Sequence, residues 1–451
     1  MALSATEQSL FDSLAATLRL SRVRTKLLNE HYEGIHKLEQ LGLSVPPELA
    51  AFSVVLNWPR VTVDAVEQRL DVQGFRMPGQ PADQYLWENW QYNNLDERQT
   101  FAHTDALALA RSYVCVGTND HDREHPLVTI ESPNEMIAVR DPRTRRVVAA
   151  LRLYDASDFG QEMRATFYLP NRTLWLIRND TFGRWDDEFA PDVHNLGAPP
   201  VVAFVNRNRA TRVDGSIVEG VSEMADVIPI ADSASRAITT AQLVQETLAA
   251  PTRGVLGATK GDFVGTDGQP LPAWQAWAGA VWALGNKDAK TFQFDAADMS
   301  NYENAMNMYA RLASGVTSLP IEYFGLNTQN APSAEGQRAG ETRLIKKAER
   351  KQTGFGHSWE SVSRLVLRFR TGEWDPNARG LETIWRDAGT PTVSQVTDAI
   401  VKRFQAGLID WETAQERMAE SPAAIEQMKQ RRRTDSEAAF GDGVQSAAEN
   451  L

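Results

Sequence analysis

The sequence has almost no cysteine and no long apolar run. Cys115 is the single cysteine among 451 residues, so neither an internal disulfide nor a cysteine-based metal site can form. No apolar run approaches the roughly 20 residues that a membrane-spanning helix needs, and the N-terminus lacks the basic and apolar regions of a signal peptide. These absences predict a soluble protein that is made inside the cell and has no membrane partner.

Sequence signatures of catalysis are also missing. The glycine-rich stretch from Gly254 to Gly268 contains no Gly-x-x-x-x-Gly-Lys-Ser/Thr phosphate loop, and no Gly-x-Ser-x-Gly elbow occurs. ATP hydrolysis is therefore not indicated. We expect no catalytic, cofactor-binding or metal-binding residues, no cofactor, and no enzymatic activity.

Basic residues are scarcer than acidic ones. The chain has 47 Lys and Arg residues against 59 Asp and Glu residues, a formal net charge of −12. Tight nucleic-acid binding through phosphate neutralisation needs clustered Lys and Arg, so this balance argues against it. The charge balance does not exclude a surface along which DNA slides without being bound tightly. A chain of 451 residues with 42% apolar and 24% charged residues should fold into two or more packed regions.

The stretch 299–369 predicts two helices separated by a segment that cannot be helical. Ser300 and Glu303 have the spacing of a capping box, which starts the first helix, and Gly315 and Pro320 predict its end. The buried stripe of this helix should consist of Tyr302, Ala305, Met306, Tyr309 and Leu312.

The segment 324–333 that follows is mostly polar and carries no charge, which predicts a mobile loop. A second, long helix should begin near Glu335. Its apolar residues recur at spacings of three, four or seven: Leu344, Ala348, Phe355, Trp359, Val362, Val366 and Phe369.

Helical and extended patterns alternate before this stretch. Residues 1–30 predict a helix, Pro59–Leu70 a second one, Val72 and Phe75 a strand, and 86–109 further helix. One side of the first helix should be formed by Leu10, Leu14, Leu18 and Leu27.

Between residues 113 and 205 the apolar period changes to two, which predicts an antiparallel sheet. Asp141–Thr144 and Pro170–Arg172 supply hairpin turns. The predicted strands are Tyr113–Val116, Val128–Ile130, Met136–Arg140, Val147–Tyr154, Ala165–Leu169, Leu174–Ile177 and Val201–Val205.

A helix from Pro229 to Ala250 precedes a compact insertion at 251–297. The apolar stripe of that helix should be Ile230, Ala234, Ala237, Ala241, Val244 and Leu248. Within the insertion we predict strands at Gly254–Leu256 and Thr291–Phe294 and a tryptophan-bearing helix at Pro272–Leu284. Two helices that enter and leave one small module should run antiparallel.

The C-terminal part combines one strand with several helices. Leu381–Arg386 should return to the sheet as a strand, and the chain from Thr390 should be helical. The signals in that last part are a capping box at Thr392–Gln395, a C-cap at Gly407, helices at Trp411–Met418 and Pro422–Arg432, and a frayed tail at 436–451.

Two polar clusters resemble metal or catalytic sites only superficially. His121 and His125 have a metal-ligand spacing if they lie on a helix, but Pro126 and the polar residues before them favour a solvated loop. Asp186-Asp187-Glu188 has no identifiable partner, which favours an exposed acidic turn.

Two other clusters each allow two interpretations. The densest basic cluster is interleaved with glutamates, which is typical of a solvated helix face, although some of its charges could contact DNA or a neighbouring subunit. The insertion carries three tryptophans that either pack inside the chain or form an interface. These residues are Arg338, Arg343, Lys346, Lys347, Arg350 and Lys351, and Trp274, Trp277 and Trp282.

Several strings in the sequence are distinctive: Leu28–Gly34, Pro46–Leu49, Asn57–Arg76, Ser132-Pro133, Asp141-Pro142, Val148–Arg152, Tyr168–Pro170 and Gly220–Asp232. They resemble the portal proteins of tailed bacteriophages, the head-to-tail connectors, especially those of phages that infect actinobacteria. The resemblance covers roughly residues 20 to 430 and includes no catalytic signature.

The resemblance implies an α+β portal fold with an α/β wing, a two-helix stem, a small α/β clip, a long spine helix and a helical crown. It places the DNA-facing tunnel loop at Asn327, Thr328, Gln329, Asn330 and Ser333, an assignment that depends on element order alone. The implied regions are an N-terminal arm and wing (1–228), stem helices (229–250 and 298–319), the clip (251–297), the tunnel loop (320–334), the spine (335–373), a return to the wing (374–389), and the crown with a C-terminal tail (390–451).

The implied function is that of a ring, commonly of twelve subunits, at one capsid vertex. This ring is the conduit for packaging and ejection of double-stranded DNA, which it contacts without sequence specificity. Implied partners are the terminase large subunit, a head–tail adaptor, and capsid and scaffolding proteins, with assembly in the host cytoplasm and a final location in the virion.

The alternative is a regulatory protein that reads DNA with its three C-terminal helices. Acidic residues at Asp410, Glu412, Glu416 and Glu420 would repel phosphate from the middle helix and weigh against it.

Overall fold

The computed structural model describes residues 3–38, 53–155, 163–178, 185–207, 219–248, 253–256, 290–293, 298–326, 334–389, 393–418 and 424–433. The helices in these ranges are α1 (Ala5–Glu33), α2 (Trp58–Glu67), α3 (Gln84–Tyr92), α4 (Leu95–Ala108), α5 (Ile228–Leu248), α6 (Ser300–Thr317), α7 (Ala334–Thr371), α8 (Val393–Gln405), α9 (Trp411–Arg417) and α10 (424–433). The strands are β1 (Val72–Arg76), β2 (Arg111–Gly117), β3 (Leu127–Glu131), β4 (Met136–Arg140), β5 (Val147–Asp155), β6 (Met163–Tyr168), β7 (Thr173–Arg178), β8 (Asp186–Asp187), β9 (Val201–Val205), β10 (Arg253–Leu256), β11 (Lys290–Gln293) and β12 (Glu382–Trp385). The α+β class is confirmed.

The chain folds into two compact units. The first comprises Met1–His36, Asn57–Ile228 and Ala313–Leu451, and the second comprises Lys37–Leu56 and Pro229–Leu312. None of the helices in the described ranges is long and apolar enough to span a membrane.

In the first unit, α1 covers one face of a five-stranded antiparallel sheet, β4-β5-β6-β7-β8. The helix begins with a capping box between Ser4 and Glu7 and ends at Gly34, whose φ is +70°. Phe11 of α1 meets Phe167 of β6 edge to face, with ring centroids 5.6 Å apart. Burial of each such side chain contributes roughly 1.5–3 kcal/mol.

The buried stripe of α1 differs from the predicted one. Leu14 and Leu18 are buried as expected and Leu10 is half-buried, but Leu27 is exposed and Leu28 lies inside instead. The leucine pattern was compatible with both choices, because neighbouring residues on a helix are only 100° apart.

The other face of the five-stranded sheet packs on a second sheet, β3-β2-β9. Cys115 of β2 is buried there with Met136 and Ala150. Each predicted strand of this region exists, and the hairpin turns lie where expected. The prediction of a single sheet was wrong, because β4 pairs with β5 and not with β3.

The far face of the second sheet is covered by α4 and α7. Trp359 of α7, which is fully buried, lies 4.8 Å from Phe204 of β9 and donates from its indole nitrogen to His103 of α4 at 2.9 Å. Burial lowers the pKa of His103 to about 3, so the ring is neutral and accepts this hydrogen bond. The predicted apolar face of α7 therefore forms a core layer.

The strand that follows α7 in sequence, β12, does not join the main sheets as predicted. β12 pairs antiparallel with β1 in a sheet of its own, with Phe75 opposite Thr383. Both strands have the sequence pattern of short edge strands. The residues near each strand in the sequence do not specify the strand with which it pairs.

In the second unit, α5 packs against an extended segment near residue 55. Ser235 Oγ accepts from the backbone N–H of Leu56 at 2.9 Å, and Thr239 Oγ1 accepts from that of Val54 at 3.0 Å. Both hydroxyls also donate to carbonyls one turn earlier in α5. The buried face of α5 is thus partly polar and includes Ala231, Ser235 and Thr239. Of the predicted stripe, Ala234 and Ala241 are buried as expected, whereas Ile230, Ala237 and Val244 are half-buried.

β10 and β11 pair antiparallel, as the two strands predicted in the insertion would. Leu248 lies in α5, but its side chain is outside the described residues, as is the predicted helix Pro272–Leu284. The antiparallel orientation of α5 and α6 stays a prediction.

Helix α6 begins at Ser300 and ends before Pro320, as predicted, but its cap differs. The Ser300 hydroxyl donates to Asp298 at 2.8 Å, and the N–H of Glu303 donates to the carbonyl of Met299, so the predicted capping box between Ser300 and Glu303 does not form. The helix continues through Gly315 to Thr317, and Leu312 is exposed. A single glycine costs a helix only about 1 kcal/mol, which is too little to end it.

Candidate functional site

A polar cluster lies where α7 passes two turns, the one after β9, which contains Asn206, and the one before α5, which contains Glu223. Lys347 and Lys351 are one helical turn apart and share a face of α7. Glu223 lies between them, with Oε1 2.6 Å from Lys347 Nζ and Oε2 2.8 Å from Lys351 Nζ. Asn206 donates to Glu223 Oε2 at 3.1 Å and accepts from Lys351. We call these four side chains the Glu223 cluster.

The charges of the Glu223 cluster depend on one another. Burial raises the pKa of Glu223, but the two ammonium groups outweigh it and lower this pKa to about 2. Burial lowers the pKa of Lys351, and Glu223 opposes that change. The carboxylate is therefore ionised at neutral pH and holds two basic side chains inside the protein.

Lys347 also binds the C-terminal end of α6. Its Nζ donates to the carbonyl of Thr317 at 2.8 Å, where the last turn of a helix carries partial negative charge. Ser314 Oγ donates to the carbonyl of Leu319 at 2.7 Å, and the N–H of Leu319 donates to Thr317 Oγ1 at 3.3 Å. These bonds fix the end of α6 against α7.

The chain then makes a 3-10 turn at Ile321–Phe324, so Phe324, the first residue of the predicted loop, belongs to this turn. Phe324 is only 5% exposed, and its ring meets Trp58 edge to face at 5.5 Å. Gly325 follows with φ +84°, a left-handed conformation that glycine adopts without strain. The stretch that precedes the neutral segment is thus anchored by an aromatic contact.

The neutral segment itself, with Asn327, Thr328, Gln329, Asn330 and Ser333, lies outside the described residues. So do the tryptophans of the insertion, Trp274, Trp277 and Trp282. The structure therefore does not place the predicted loop and interface side chains, and their roles stay predictions.

The predicted basic residues have different environments. Arg343, Lys346 and Arg350 are exposed on α7, as a DNA or subunit contact requires. Arg338 lies in α7, but its side chain is outside the described residues. Lys347 is predicted for the same contact, which stays a prediction, and its ammonium group is also bonded to Glu223 and to the carbonyl of Thr317.

The remaining candidates have structural roles. His121 and His125 lie on a loop, as predicted, and His125 stacks on Tyr92 at 4.7 Å with its Nδ1 2.7 Å from Asp122. Asp186 and Asp187 form β8 and are exposed, so they belong to a sheet edge and not to a turn.

Glu188, the third residue of that acidic run, is 2.6 Å from Arg164. Glu416 of α9 is 3.5 Å from Arg76 and accepts from the N–H of Ala82 at 2.9 Å, so the middle C-terminal helix is held against β1. Neither acidic residue is poised for catalysis or DNA reading.

Glu223 and Asn206 are partners of α7 that were not predicted. A signal existed for Glu223: its nearest neighbours in sequence, from Val221 to Ala225, are small or apolar, and a carboxylate in such surroundings needs a partner of opposite charge. The identity of that partner could not be predicted, because it lies more than 100 residues later in the chain.

Comparisons with known proteins were made by sequence and by structure. Residues 16–438 match the family model described as "Phage portal protein, SPP1 Gp6-like". The portal protein of Mycobacterium phage D29 is 36% identical over 430 residues, which is 92% of this chain and 86% of the relative. The portal protein of Mycobacterium phage L5 is 34% identical over 428 residues, 92% of this chain and 85% of the relative.

Solved structures give weaker similarities. The neck of an empty gene transfer agent (GTA) particle matches with a TM-score of 0.45 and 14% identity over 85% of this chain and 93% of that chain. The neck of the native GTA particle, computed with C12 symmetry, matches with a TM-score of 0.43 and 13% identity over 84% of this chain and 94% of that chain.

Proposed function

We propose, for a chain that belongs to the SPP1 Gp6-like family of phage portal proteins, that copies of it form a closed ring through which double-stranded DNA passes. The role of a structural portal protein at the virion follows from the family match, which spans residues 16–438 and carries the proposal. The alternative of a DNA-reading regulatory protein is not supported. The ring, its twelve subunits and its contacts are the parts that we propose.

The neutral loop gives the proposal a physical basis. Asn, Thr and Gln side chains can hydrogen-bond to a phosphate backbone without displacing counterions, so contact with them does not pin the DNA. The loop follows the anchored 3-10 turn at Ile321–Phe324 and precedes α7, a helix of about 57 Å. A short neutral segment between two fixed ends is suited to touching a moving duplex.

The proposed regions are the arm and wing, stem, clip, tunnel loop, spine and crown with the bounds given above. We propose that the ring binds the terminase large subunit and a head–tail adaptor, and that capsid and scaffolding proteins surround it. The proposed interface residues of the clip are Trp274, Trp277 and Trp282. The proposed contacts to DNA or to a neighbouring subunit are Arg338, Arg343, Lys346 and Lys347. We propose no enzymatic activity.

The ring is tested by negative-stain electron microscopy of the purified protein together with native mass measurement. We expect annular particles with a central hole and a mass near twelve times 50.2 kDa. Compact monomers at all concentrations, with or without a co-expressed scaffolding protein, would contradict the proposal.

The lumen is tested by adding charge to the loop. Asn327→Lys with Gln329→Lys should convert weak binding of double-stranded DNA into strong, salt-dependent binding, because each lysine that neutralises a phosphate changes the salt slope by about 0.9. Gln91→Lys, at an exposed position of α3, is the matched control and should not change the slope. Equal slopes for the loop variant and the control would remove the loop from the DNA path.

A further inference from the structure

Helix α1 has a second apolar face that points away from its sheet. Leu20, Val23 and Leu27 are 65%, 76% and 52% exposed, and Ala16 is exposed beside them. We call these four residues the α1 ridge. The opposite face of the helix is already buried on the five-stranded sheet through Phe11, Leu14 and Leu18. The ridge is therefore not needed for the packing of α1.

The spacing of the α1 ridge is that of a coiled-coil seam. Steps of four, three and four residues from Ala16 to Leu27 place its members at alternating d and a positions of a heptad. Leu18 and Thr25, which are buried against the protein, fall at the f position opposite the seam. The eleven residue steps from Ala16 to Leu27 give a seam about 17 Å long at 1.5 Å per residue.

Between Ala16 and Leu27, every charged residue at an e or g position beside the α1 ridge is basic. Arg19 and Lys26 occupy the g positions, Arg24 occupies an e position, and all three side chains are exposed. Lys26 is 4.0 Å from Glu30, a weak i,i+4 contact in which the Lys26 side chain is 79% exposed. In a chain with a net charge of −12, this basic border is a local exception.

The sign of the flanks selects the kind of partner. In a pair of α1 helices, parallel or antiparallel, every e or g contact would join two basic side chains, and like charges there disfavour pairing. The exposed ridge of α6, Met308, Leu312 and Val316, has Arg311 beside it and is no better matched. Within the described part of the chain, no helix combines an exposed aliphatic ridge with acidic flanks.

We propose that the α1 ridge binds an amphipathic helix of a different protein, one with aliphatic a and d residues and Asp or Glu at its e and g positions. The aliphatic seam supplies the affinity, and the ion pairs to Arg19, Arg24 and Lys26 supply the selectivity. This inference goes beyond the ring, since it concerns a face of the first unit and does not depend on how many copies assemble.

The test uses a synthetic peptide as the probe. A fluorescent peptide of about four heptads with Leu at a and d and Glu at e and g should bind the full-length protein saturably. The matched peptide with Lys at e and g should bind at least tenfold more weakly. Added salt should reduce the difference, because exposed ion pairs are screened.

Two sets of substitutions separate the seam from its flanks. Leu20→Gln, Val23→Gln and Leu27→Gln together should weaken binding of the acidic peptide at least tenfold, whereas Leu408→Gln, which alters another exposed leucine, should leave it unchanged. Arg19→Glu, Arg24→Glu and Lys26→Glu together should reverse the preference toward the Lys-flanked peptide. All of these positions are exposed, so circular dichroism and thermal unfolding should match the wild type.

Three outcomes would overturn the proposal. The first is equal affinity for the two peptides, which would remove the charge selection. The second is self-association by light scattering that is lost only in the seam variant, which would make a second copy the occupant. The third is binding of anionic vesicles or double-stranded DNA that depends on Arg19, Arg24 and Lys26 while neither peptide binds.

Discussion

Lys347 Nζ lies 2.6 Å from Glu223 Oε1, and this ion pair joins the long helix α7 to the turn that precedes α5. Glu223→Gln would leave Lys347 and Lys351 without their buried counter-charge. We expect a loss of about 3–5 kcal/mol in the free energy of unfolding, the usual cost of breaking a buried pair from one side. Urea unfolding followed by circular dichroism measures it. Glu349→Gln, at an exposed position of the same helix, should change the value by less than about 0.5 kcal/mol, and a similar small effect at Glu223 would contradict the structural role of the cluster.

The same carboxylate predicts a loss of stability in acid. The pKa of Glu223 is about 2 in the folded protein against an ordinary value of 4.5. Because the folded state holds the ionised form, the stabilisation is complete above the unfolded pKa and is lost as the pH falls from about 4.5 through about 2. Unfolding free energies across this range should fall more steeply for the wild type than for Glu223→Gln. Parallel curves would show that Glu223 does not titrate at the low pKa.

Glu67 predicts the opposite dependence. Burial, together with Asp64 and Asp71, raises the pKa of Glu67 to about 7 from an ordinary 4.5. The folded state therefore favours the neutral acid, and its stability declines as the pH rises from about 4.5 through about 7. Glu67→Gln should raise the unfolding free energy at pH 8 by about 1–3 kcal/mol, since one pKa unit corresponds to about 1.4 kcal/mol, and should be neutral at pH 4. If the difference in unfolding free energy between Glu67→Gln and the wild type were the same at pH 4 and at pH 8, the raised pKa of Glu67 would be refuted.

The aromatic anchor before the neutral segment can be removed selectively. Phe324→Ala should lower the unfolding free energy by about 3–5 kcal/mol, because it removes a buried ring and leaves a cavity beside Trp58. Phe101→Ala, which truncates a ring that is 54% exposed, is the control and should have a small effect. Comparable losses in the two variants would mean that Phe324 is not an anchor.

Two glycines should respond to alanine in opposite directions. Gly220 has φ +95°, and an added Cβ would lie 2.3 Å from the carbonyl oxygen of Ala110. Gly220→Ala should therefore destabilise the protein by more than about 2 kcal/mol. Gly354→Ala, within α7 and with nothing within 4 Å of the added Cβ, should stabilise it by about 0.5–1 kcal/mol. If both alanine substitutions changed the free energy of unfolding in the same direction, the close contact at Gly220 would be contradicted.

Local signals in the sequence predicted most elements of the first unit. The turn at Asp141 is an example, since its carboxylate accepts from the N–H groups of Arg143 and Thr144 at 2.8 and 2.6 Å, bonds made within four residues. The C-cap at Gly407 was predicted correctly for the same reason, and its φ is +68°. Features that depend on neighbouring residues are readable without knowledge of the fold.

Features that depend on distant residues were missed. Leu27 and Leu28 are equally apolar, and only the packing around α1 decides which one is buried. The sequence predicts a surface charge at Lys347, because its partner Glu223 is remote in sequence. The ion pair between the two residues is seen only in the three-dimensional structure. In the candidate site, the helix could be predicted but the inward direction of its lysines could not.

The pairing of Phe75 with Thr383 has a consequence for biosynthesis. The partner strand of β1 is made about 300 residues later, which at roughly 5–20 residues per second means a wait of about 15–60 s on the ribosome. During that interval the edge of β1 has no ladder partner from β12, and a chain interrupted before Glu382 can never supply one. Completion of this small sheet therefore distinguishes a polypeptide that extends past Trp385 from one that stops before Glu382.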